Sequence, residues 1–388
     1  MRNPIKVAIV GAGIGGLSAA IALRKIGAEV VVLERAPEIL VLGAGICLWP
    51  NGGQALKALG LEPALADVSP ILKNLSYLDK NGKSKREMSF DFLTQETGHR
   101  SFPIARADLH MALLGQLDPS IIKLGAATVG AKQTANGAIV ELEDGSVFEA
   151  DLVIGADGIR SVVRNAVTEG NHTLRYHYST WCGLVPENSD VCPRDTFKFF
   201  VSDAKRVGLL NVGDDRLYFF CDAAVENVDQ DGDGTRAQLK KLYAGWCPSV
   251  QAVIDAIDDT KTSRLPVCDL DPLDSYVKGR VVLIGDAAHG TTPTLGQGGA
   301  MAMEDAIVLA RCLAASPDFD AALKAYDAER RPRSEAIVLS SRARTAAALG
   351  LDKEKAESWQ AQLSDESSHD FMDEQVRIFK RGPLAATV

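Results

Sequence analysis

The sequence lacks any arrangement of cysteine or histidine that is typical of a metal site. Its seven cysteines are odd in number and widely spread, and no two of them form a C-x-x-C pair. The six histidines show no metal-ligand spacing either. We therefore expect no bound metal and no disulfide framework, and we expect reduced thiols in a cytoplasmic protein.

Long apolar runs and an excess of positive charge are also lacking. The stretch from Val7 to Leu23 is largely apolar, but glycines interrupt it and it is too short for a comfortable membrane span. The first strand begins almost at once, which leaves no room for a signal peptide. A net charge of −9 argues against general affinity for nucleic acid or for an anionic membrane. We expect neither as a partner.

The first thirty-odd residues follow the pattern strand, glycine turn, helix, strand. Residues 5–10 are β-branched and apolar, as in a strand that is buried on both faces of a parallel sheet. In the following GAGIGG turn, Gly11 allows the tight bend, Gly13 lets the backbone approach a pyrophosphate, and Gly16 lets the helix lie close to the sheet. Glu34 follows about twenty residues later, where a carboxylate can accept hydrogen bonds from a ribose. The pattern predicts a dinucleotide site.

Two further aspartates stand next to glycine just beyond buried strands. Asp157 follows the apolar strand at 151–154, and Asp286 follows the one at 281–284. A carboxylate at such a strand end suits contact with a ribityl or ribose hydroxyl or with the surroundings of a phosphate. Each Asp-Gly or Gly-Asp pair taken singly is also compatible with an ordinary turn.

The middle of the chain has a different character from both ends. Residues 172–270 carry five of the seven cysteines in alternating, strand-like runs. The runs 205–212 and 216–221 flank Gly213-Asp214-Asp215, which predicts an antiparallel hairpin. Towards the C-terminus, the pattern predicts helices over about 299–313, 319–331 and 333–349.

Three segments together resemble the FAD-dependent aromatic monooxygenases, the p-hydroxybenzoate hydroxylase-like flavoproteins. They are GAGIGG at 11–16, DLVIGADGIRSVVR at 151–164 and GRVVLIGDAAHGTTPTLGQGGAMAMEDA at 279–306. The resemblance implies an α/β fold, with a Rossmann-like FAD-binding domain and an antiparallel β-sheet domain that binds the substrate. The FAD-binding domain would be discontinuous, at 1–70, 101–171 and 271–350. The sheet domain would comprise 71–100 and 172–270, and a helical tail would follow at 351–388.

The resemblance also implies a set of cofactor-binding residues. The glycine turn would face the pyrophosphate of FAD, and Glu34 would face the adenosine ribose. A helix that begins near Leu295 would point its N-terminus at the flavin, where its partial positive charge stabilises a reduced ring. The implied cofactor-binding residues are Gly11, Gly13, Gly16, Glu34, Arg35, Gly45, Arg106, Asp157, Asp286, Gly296, Gln297, Gly298 and Gly299.

The chain contains only one glycine fingerprint of this kind, so no second Rossmann domain is available for a nicotinamide. The family uses NADH or NADPH as a transient reductant, and O₂ then forms a C4a-hydroperoxyflavin that hydroxylates an electron-rich ring. The resemblance thus implies an FAD-dependent monooxygenase acting on a small aromatic or purine ring. A monomer or a homodimer is expected.

Further stretches resemble the urate-hydroxylating members of the family and imply conversion of urate to 5-hydroxyisourate. They lie at 45–52, 205–207, 217–220, 243–246 and 291–299. In those enzymes an arginine and a tyrosine act in the substrate site, and Arg206 and Tyr218 match them here. The donor fork of an arginine suits a planar, anionic, carbonyl-rich ring. A three-residue loop between the two strands would put both residues on one face of the sheet.

Two positions depart from the urate-hydroxylating pattern. Thr180 and Cys182 flank Trp181 where asparagines are expected, and both are candidates for contact with the substrate. Another small ring, such as a hydroxypyridine or a salicylate-like phenol, is therefore an alternative substrate. A flavin-binding protein without oxygenase turnover is the alternative from a different functional class.

Overall fold

The computed structural model of the chain describes residues 4–39, 44–224, 234–365, 376–380 and 382–384. In chain order its strands are β1 (Lys6–Val10), β2 (Glu29–Leu33), β3 (Gly45–Leu48), β4 (Asn74–Leu78), β5 (Ser84–Ser89), β6 (Phe102–Ala105), β7 (Ile122–Lys123), β8 (Thr128–Gln133), β9 (Ala138–Leu142), β10 (Val147–Ala150), β11 (Leu152–Gly155), β12 (Leu174–Pro186), β13 (Thr196–Ser202), β14 (Lys205–Asn211), β15 (Arg216–Ala223), β16 (Ser263–Leu270), β17 (Val277–Lys278) and β18 (Val281–Leu283). Its helices are α1 (Ile14–Lys25), α2 (Pro50–Leu59), α3 (Glu62–Ala66), α4 (Phe90–Thr97), α5 (Arg106–Leu114), α6 (Arg164–Thr168), α7 (Thr235–Leu242), α8 (Pro248–Asp255), α9 (Asp286–His289), α10 (Gly298–Ala315), α11 (Phe319–Ala348) and α12 (Lys353–Ser364).

A six-stranded sheet, called the parallel sheet below, has the strand order β17-β18-β11-β1-β2-β7. All its neighbouring strands run parallel except β17, which pairs antiparallel with β18. The first and third strand ends singled out in the sequence therefore lie near each other, because β1 and β18 both flank β11. Helix α1 is buried from Gly16 to Leu23 because it lies between this sheet and α10. The largest hydrophobic core fills these layers.

A seven-stranded sheet, called the large sheet below, has the order β16-β12-β15-β14-β13-β4-β5. Apolar residues of one face pack with α7 and α8. The opposite face packs with the end of α11, with α12 and with the helical residues 376–380. The large sheet thus stands between two layers of helix.

The fold class predicted from the sequence is confirmed, with one correction to the strand directions. Strands β4 and β13 pair in parallel, so the large sheet is mixed and not purely antiparallel. Two antiparallel strands can be joined by a tight turn, whereas parallel strands need a long connection. Here more than a hundred residues separate the two strands, and no local pattern records their pairing.

The two helices predicted at 319–331 and 333–349 form one continuous helix, α11, with Pro332 in its interior. Proline normally ends or kinks a helix because it has no N–H and its ring crowds the preceding turn. In this helix Arg330 and Arg333, on either side of the proline, both bind Glu304 of α10. These tertiary contacts hold both halves of the helix on one neighbour. The prediction of a break was wrong.

Within the described ranges, no helix combines the length and apolar character that crossing a bilayer requires. In the same part of the chain, no three acidic, cysteine or histidine side chains are grouped as a metal site requires. All seven cysteines are free.

Candidate active site

The loop between β1 and α1 forms a tight backbone cradle with an open front. Gly11 has a φ of +103°, and a Cβ on it would lie 2.5 Å from the carbonyl oxygen of Ala156. A Cβ on Gly16 would overlap with the carbonyl oxygen of Gly11, so only glycine allows α1 to pack this close. A Cβ on Gly13 would meet no atom within 4 Å. The space in front of Gly13 is therefore free for a ligand.

Helix α1 begins at this loop without a side-chain cap. The first N–H groups of a helix have no intrahelical partner, and the helix dipole adds a partial positive charge there. An uncapped helix start beside an open glycine loop suits a phosphate or pyrophosphate.

Glu34, the residue that follows β2, borders the same loop. Its Oε2 accepts a hydrogen bond from the N–H of Ala12 at 2.8 Å, and its Oε1 accepts one from the N–H of Ala36 at 2.9 Å. The neighbouring Arg35 is exposed. These bonds hold the carboxylate next to the cradle, where a ribose attached to a bound pyrophosphate would lie.

Asp157 is engaged by the turn that follows it. Its carboxylate accepts hydrogen bonds from the hydroxyl of Ser161 at 2.5 Å and from the N–H of Val162 at 2.8 Å. The side chain therefore acts as a cap for residues 161–163, close to the β1–α1 loop. Its contact with a cofactor stays a prediction.

Asp286 is exposed at the start of α9, and its Oδ1 lies 3.8 Å from the position of a Cβ on Gly298. Arg164, which is fully buried, links this segment to the Asp157 turn. Its guanidinium donates to the carbonyl oxygens of Ala287 at 2.8 Å and of Ile159 at 2.9 Å. Sequence reasoning did not single out Arg164, although it lies inside a quoted motif, because its spacing alone does not reveal which carbonyls it reaches.

The glycine segment before α10 is held in place by a hydrogen bond to a buried polar cluster. Gly296 has a φ of +63°, and α10 begins without a side-chain cap. The Oε1 of Gln297 accepts a hydrogen bond from the Asn51 amide at 2.9 Å, and the same amide donates to Glu304 at 2.9 Å. The start of α10 therefore has no side-chain cap, and the side chain of Gln297 before it is held by a polar cluster.

That cluster is a buried group of charges between α9, α10 and α11. Arg330 donates to Asp305 at 2.6 Å and to Glu304 at 2.8 Å, and Arg333 also binds Glu304. His289 Nε2 lies 2.6 Å from Asp305 Oδ2. Burial by itself would raise the pKa of Asp305, but the charges of His289 and Arg330 outweigh it and lower the pKa to about 2. His289 is thus paired with Asp305 inside this cluster, which gives it a structural role.

Arg206 and Tyr218 lie on the same face of the large sheet. The register pairs Arg206 with Asp222 and Tyr218 with Leu210, and residues four apart in a strand point to the same side. The connecting loop is residues 213–215, closed by a bond from the N–H of Val212 to the carbonyl of Arg216 at 3.0 Å. The prediction that a three-residue loop puts both side chains on one face is confirmed.

Arg206 is buried and paired with Asp222. Its Nε and Nη2 donate to Asp222 Oδ2 at 2.8 and 2.5 Å, and its guanidinium lies 5.1 Å from the ring centre of Phe220. Burial by itself would lower the pKa of Arg206, but the charge of Asp222 outweighs it and the pKa is raised. The guanidinium therefore stays charged.

Tyr218 lies beside two other candidates. Its ring fills the space in which a side chain on Gly45 would stand, and Gly45 is paired with Ala105, the residue before Arg106. Burial raises the pKa of the Tyr218 phenol well above its ordinary value, with the charge of Arg106 acting in the opposite direction. The phenol is therefore a hydrogen-bond donor at any physiological pH.

Thr180 and Cys182 share this face. Thr180 is opposite Asp222 and Cys182 is opposite Phe220. Burial raises the pKa of the Cys182 thiol to about 11, so it is protonated at neutral pH. The four candidate residues of the sheet thus form one surface, across strands β12, β14 and β15.

A pocket lies between the large sheet, the segment before α10 and the C-terminal helices, and of the four candidate residues of the sheet only Arg206 is among its lining residues. Its lining is largely aromatic and apolar, with two arginines. The lining residues are Trp49, Leu75, Tyr77, Met88, Leu93, Phe199, Arg206, Thr294, Leu295, Arg344, Ala348 and Trp359. Of these, sequence reasoning named only Arg206 as a site residue. The others come from seven separate stretches of the chain, and no local motif connects them.

Comparison with known proteins gives matches along nearly the whole chain. A family model described as an FAD binding domain matches residues 4–341. An FAD-dependent urate hydroxylase from Mycolicibacterium vanbaalenii is 39% identical over 386 residues, covering 98% of each chain. A 6-hydroxynicotinate 3-monooxygenase from Pseudomonas fluorescens is 31% identical and covers 87% of this chain and 90% of its own length.

The fold is also similar to solved structures. HpxO of Klebsiella pneumoniae, solved in complex with FAD and uric acid, superimposes with a TM-score of 0.93. The two sequences are 36% identical, and the match covers 98% of each chain.

Proposed function

Because the chain belongs to the family of FAD-binding monooxygenases, we propose that it is an FAD-dependent hydroxylase of urate. The observation that carries this proposal is the pocket shared by Arg206 and the Thr294–Leu295 segment. That segment leads into the uncapped start of α10, so a ring beside Arg206 would lie next to the expected flavin position. The similarity to FAD-dependent urate hydroxylases over nearly the full chain supports urate as the ring.

The proposed reaction inserts one oxygen atom of O₂ into urate and reduces the other to water. Urate, O₂, NAD(P)H and one proton give 5-hydroxyisourate, water and NAD(P)⁺. Bound FAD supplies the chemistry of accepting a hydride and activating O₂. The chain holds the cofactor, orients the ring and keeps water away from the reacting atoms.

The residues present fit an extended dinucleotide cofactor. The open space at Gly13 and the uncapped start of α1 suit the pyrophosphate, and Glu34 suits the ribose beside it. The exposed Asp286 and the start of α10 suit the flavin end. The remaining members of the proposed site are Gly11, Gly16, Arg35, Gly45, Arg106, Asp157, Gly296, Gln297, Gly298 and Gly299.

Arg206 and Tyr218 are the proposed substrate residues. A permanently charged guanidinium can donate to a carbonyl oxygen of urate and stabilise negative charge that develops on the ring. A protonated phenol at Tyr218 can donate a second hydrogen bond. Thr180 and Cys182 complete this side of the proposed site without adding charge.

The domain division is part of the same proposal, with residues 71–100 and 172–270 forming the substrate domain. It is supported by β4 and β5, which lie in the first quarter of the sequence but belong to the large sheet. The free state of all seven cysteines supports a reducing compartment such as the cytoplasm. A monomer or homodimer that uses NADH or NADPH completes the proposal.

The test is to follow NADH and NADPH oxidation by the FAD-loaded protein with and without urate, while the absorbance of urate is recorded. We expect urate to accelerate oxidation and to disappear in a one-to-one ratio with the nicotinamide. Arg206→Gln should abolish this coupling. Lys205→Gln is the matched control, because Lys205 is the adjacent residue of β14 and points to the opposite face.

Persistence of urate during nicotinamide oxidation would contradict urate as the substrate. The second candidate is then a hydroxypyridine or a phenolic acid, which Thr180 and Cys182 favour because they replace the amides expected in urate enzymes. A panel of such rings, tested for stimulation of nicotinamide oxidation, identifies it. A complete lack of stimulation by any ring would contradict monooxygenase turnover itself.

A further inference from the structure

Three side chains form a row across the large sheet. Thr180 of β12 is directly opposite Asp222 of β15, and Asp222 is directly opposite Arg206 of β14. Side chains directly opposite each other in antiparallel strands lie on one face and within contact distance. Asp222 is therefore the central member of a row that ends at the proposed substrate arginine.

The contacts of Asp222 decide which edge of the guanidinium is available. Both Nε and Nη2 of Arg206 donate to a single oxygen, Asp222 Oδ2. This leaves the Nη1 amino group as the part of the fork that Asp222 does not engage. Arg206 also lines the pocket, and Nη1 is the guanidinium nitrogen that its pairing with Asp222 leaves for a ring there, beside the neighbouring Tyr178.

Asp222 is held from two directions, through its backbone and through its side chain. The Tyr243 hydroxyl of the helical layer behind the sheet donates to the backbone carbonyl of Asp222 at 2.8 Å. Thr180 faces the carboxylate from the neighbouring strand and favours its charged form, which opposes the rise in the pKa of Asp222 caused by burial. Asp222 and Arg206 are 1% and 5% exposed, so the pair cannot rotate freely into solvent.

We propose that Asp222 is a positioning residue for the hydroxylation, which orients Arg206 so that only the Nη1 edge faces the substrate. The inference rests on the proposed function. The chemical consequence is selectivity for a ring that presents one carbonyl oxygen to a single donor edge. A ring that carries a carboxylate is disfavoured because Asp222 already occupies the Nε–Nη2 edge, which could otherwise bind that carboxylate with two parallel hydrogen bonds.

The first part of the test is functional. In the FAD-loaded protein, Asp222→Asn should raise the KM for urate roughly tenfold to a hundredfold, the range expected when a charged hydrogen bond is lost. It should also lower the fraction of NADH oxidation that consumes urate. Asp203→Asn is the control, because it removes the same charge from an exposed position in the hairpin between β13 and β14 of the same sheet.

A double-mutant comparison separates positioning from general damage. In an Arg206→Gln background, Asp222→Asn should cause no further loss of coupling, because the residue it orients is gone. Additive losses in the two backgrounds would overturn the inference. If Asp222→Asn does not fold, Asp222→Glu keeps the charge and displaces the carboxylate by one methylene. Wild-type KM and coupling in that variant would equally overturn it.

A crystal structure provides a readout that does not depend on the substrate. In FAD-bound Asp222→Asn the guanidinium of Arg206 should leave its wild-type position, and an unchanged position would overturn the inference. If the wild type itself fails to hydroxylate urate, the proposed function fails, and the guanidinium position still decides the role of Asp222. A displaced guanidinium with unchanged urate coupling would overturn the positioning role.

Discussion

The indole Nε1 of Trp49 lies 2.5 Å from the point that a Cβ on Gly296 would occupy. Trp49 cannot yield easily, because its ring is stacked between Phe90 and Phe379 with centroid distances of 5.4 Å to each. The segment proposed to face the flavin thus packs against Trp49, and Trp49 in turn stacks on Phe379 from the C-terminal part of the chain.

Gly296→Ala is therefore expected to weaken FAD binding and to destabilise the protein. The left-handed backbone alone costs about 1–2 kcal/mol for alanine, and the overlap with Trp49 adds to that. Gly145→Ala is the control, since Gly145 has a φ of +84° but open space around its added Cβ. Urea unfolding and FAD titration measure both effects, and equal losses in the two variants would rule out the role of Trp49.

Gly13→Ala should separate cofactor binding from folding. The added Cβ meets no protein atom, so the unfolding free energy of the apoprotein should change by no more than about 1 kcal/mol. The same Cβ would stand where the proposed pyrophosphate lies, so the FAD dissociation constant should rise at least roughly tenfold. Quenching of flavin fluorescence measures the constant. Unchanged affinity would argue against a pyrophosphate at this loop.

Asp305 should make the protein sensitive to acid in a defined range. Its pKa is about 2 in the folded chain and its ordinary value is 3.8. The folded state binds the proton less tightly, so the stabilisation is complete above about pH 4 and is lost as the pH falls towards 2. The expected loss is roughly 2 kcal/mol. Urea unfolding at several pH values should show a shallower decline for Asp305→Asn, and parallel declines would contradict the assignment.

One thiol should react before the others in the native protein. Cys268 is partly exposed, whereas the other six cysteines are buried. Burial also raises the pKa of Cys268, so the reaction should accelerate as the pH rises through the alkaline range. A chromogenic disulfide reagent should titrate one fast thiol per chain, and Cys268→Ser should remove that phase. Cys221→Ser should leave it intact, and a fast phase that survives Cys268→Ser would refute the prediction.

Trp359→Ala should uncouple nicotinamide oxidation from hydroxylation. Trp359 is 4% exposed and lines the pocket with Arg344, whose guanidinium lies 5.7 Å from the indole ring. Loss of the ring opens the pocket to water, so more hydrogen peroxide per NADH is expected. Trp246→Ala is matched in size and burial but lies on the opposite face of the large sheet. It should cost comparable stability, about 3–5 kcal/mol, and keep the coupling.

The sequence by itself was sufficient for the features that short-range geometry dictates. The Gly11–Gly16 turn follows from a strand that must bend sharply into a helix, and the cofactor and family followed from that turn and two further strand ends. The common face of Arg206 and Tyr218 followed from the length of one loop, because the alternation of side chains in a hairpin leaves no other choice.

Only the tertiary structure decided the features that join distant parts of the chain. The pairing of Arg206 with Asp222 could be read from the hairpin register, but the burial that gives it its strength could not. The pocket brings Trp49, Tyr77 and Trp359 together from separate elements, and α11 continues through Pro332 because α10 holds both of its halves. Such contacts depend on which layers pack together, and periodicity in a single sequence shows that a face is buried but not which distant segment covers it.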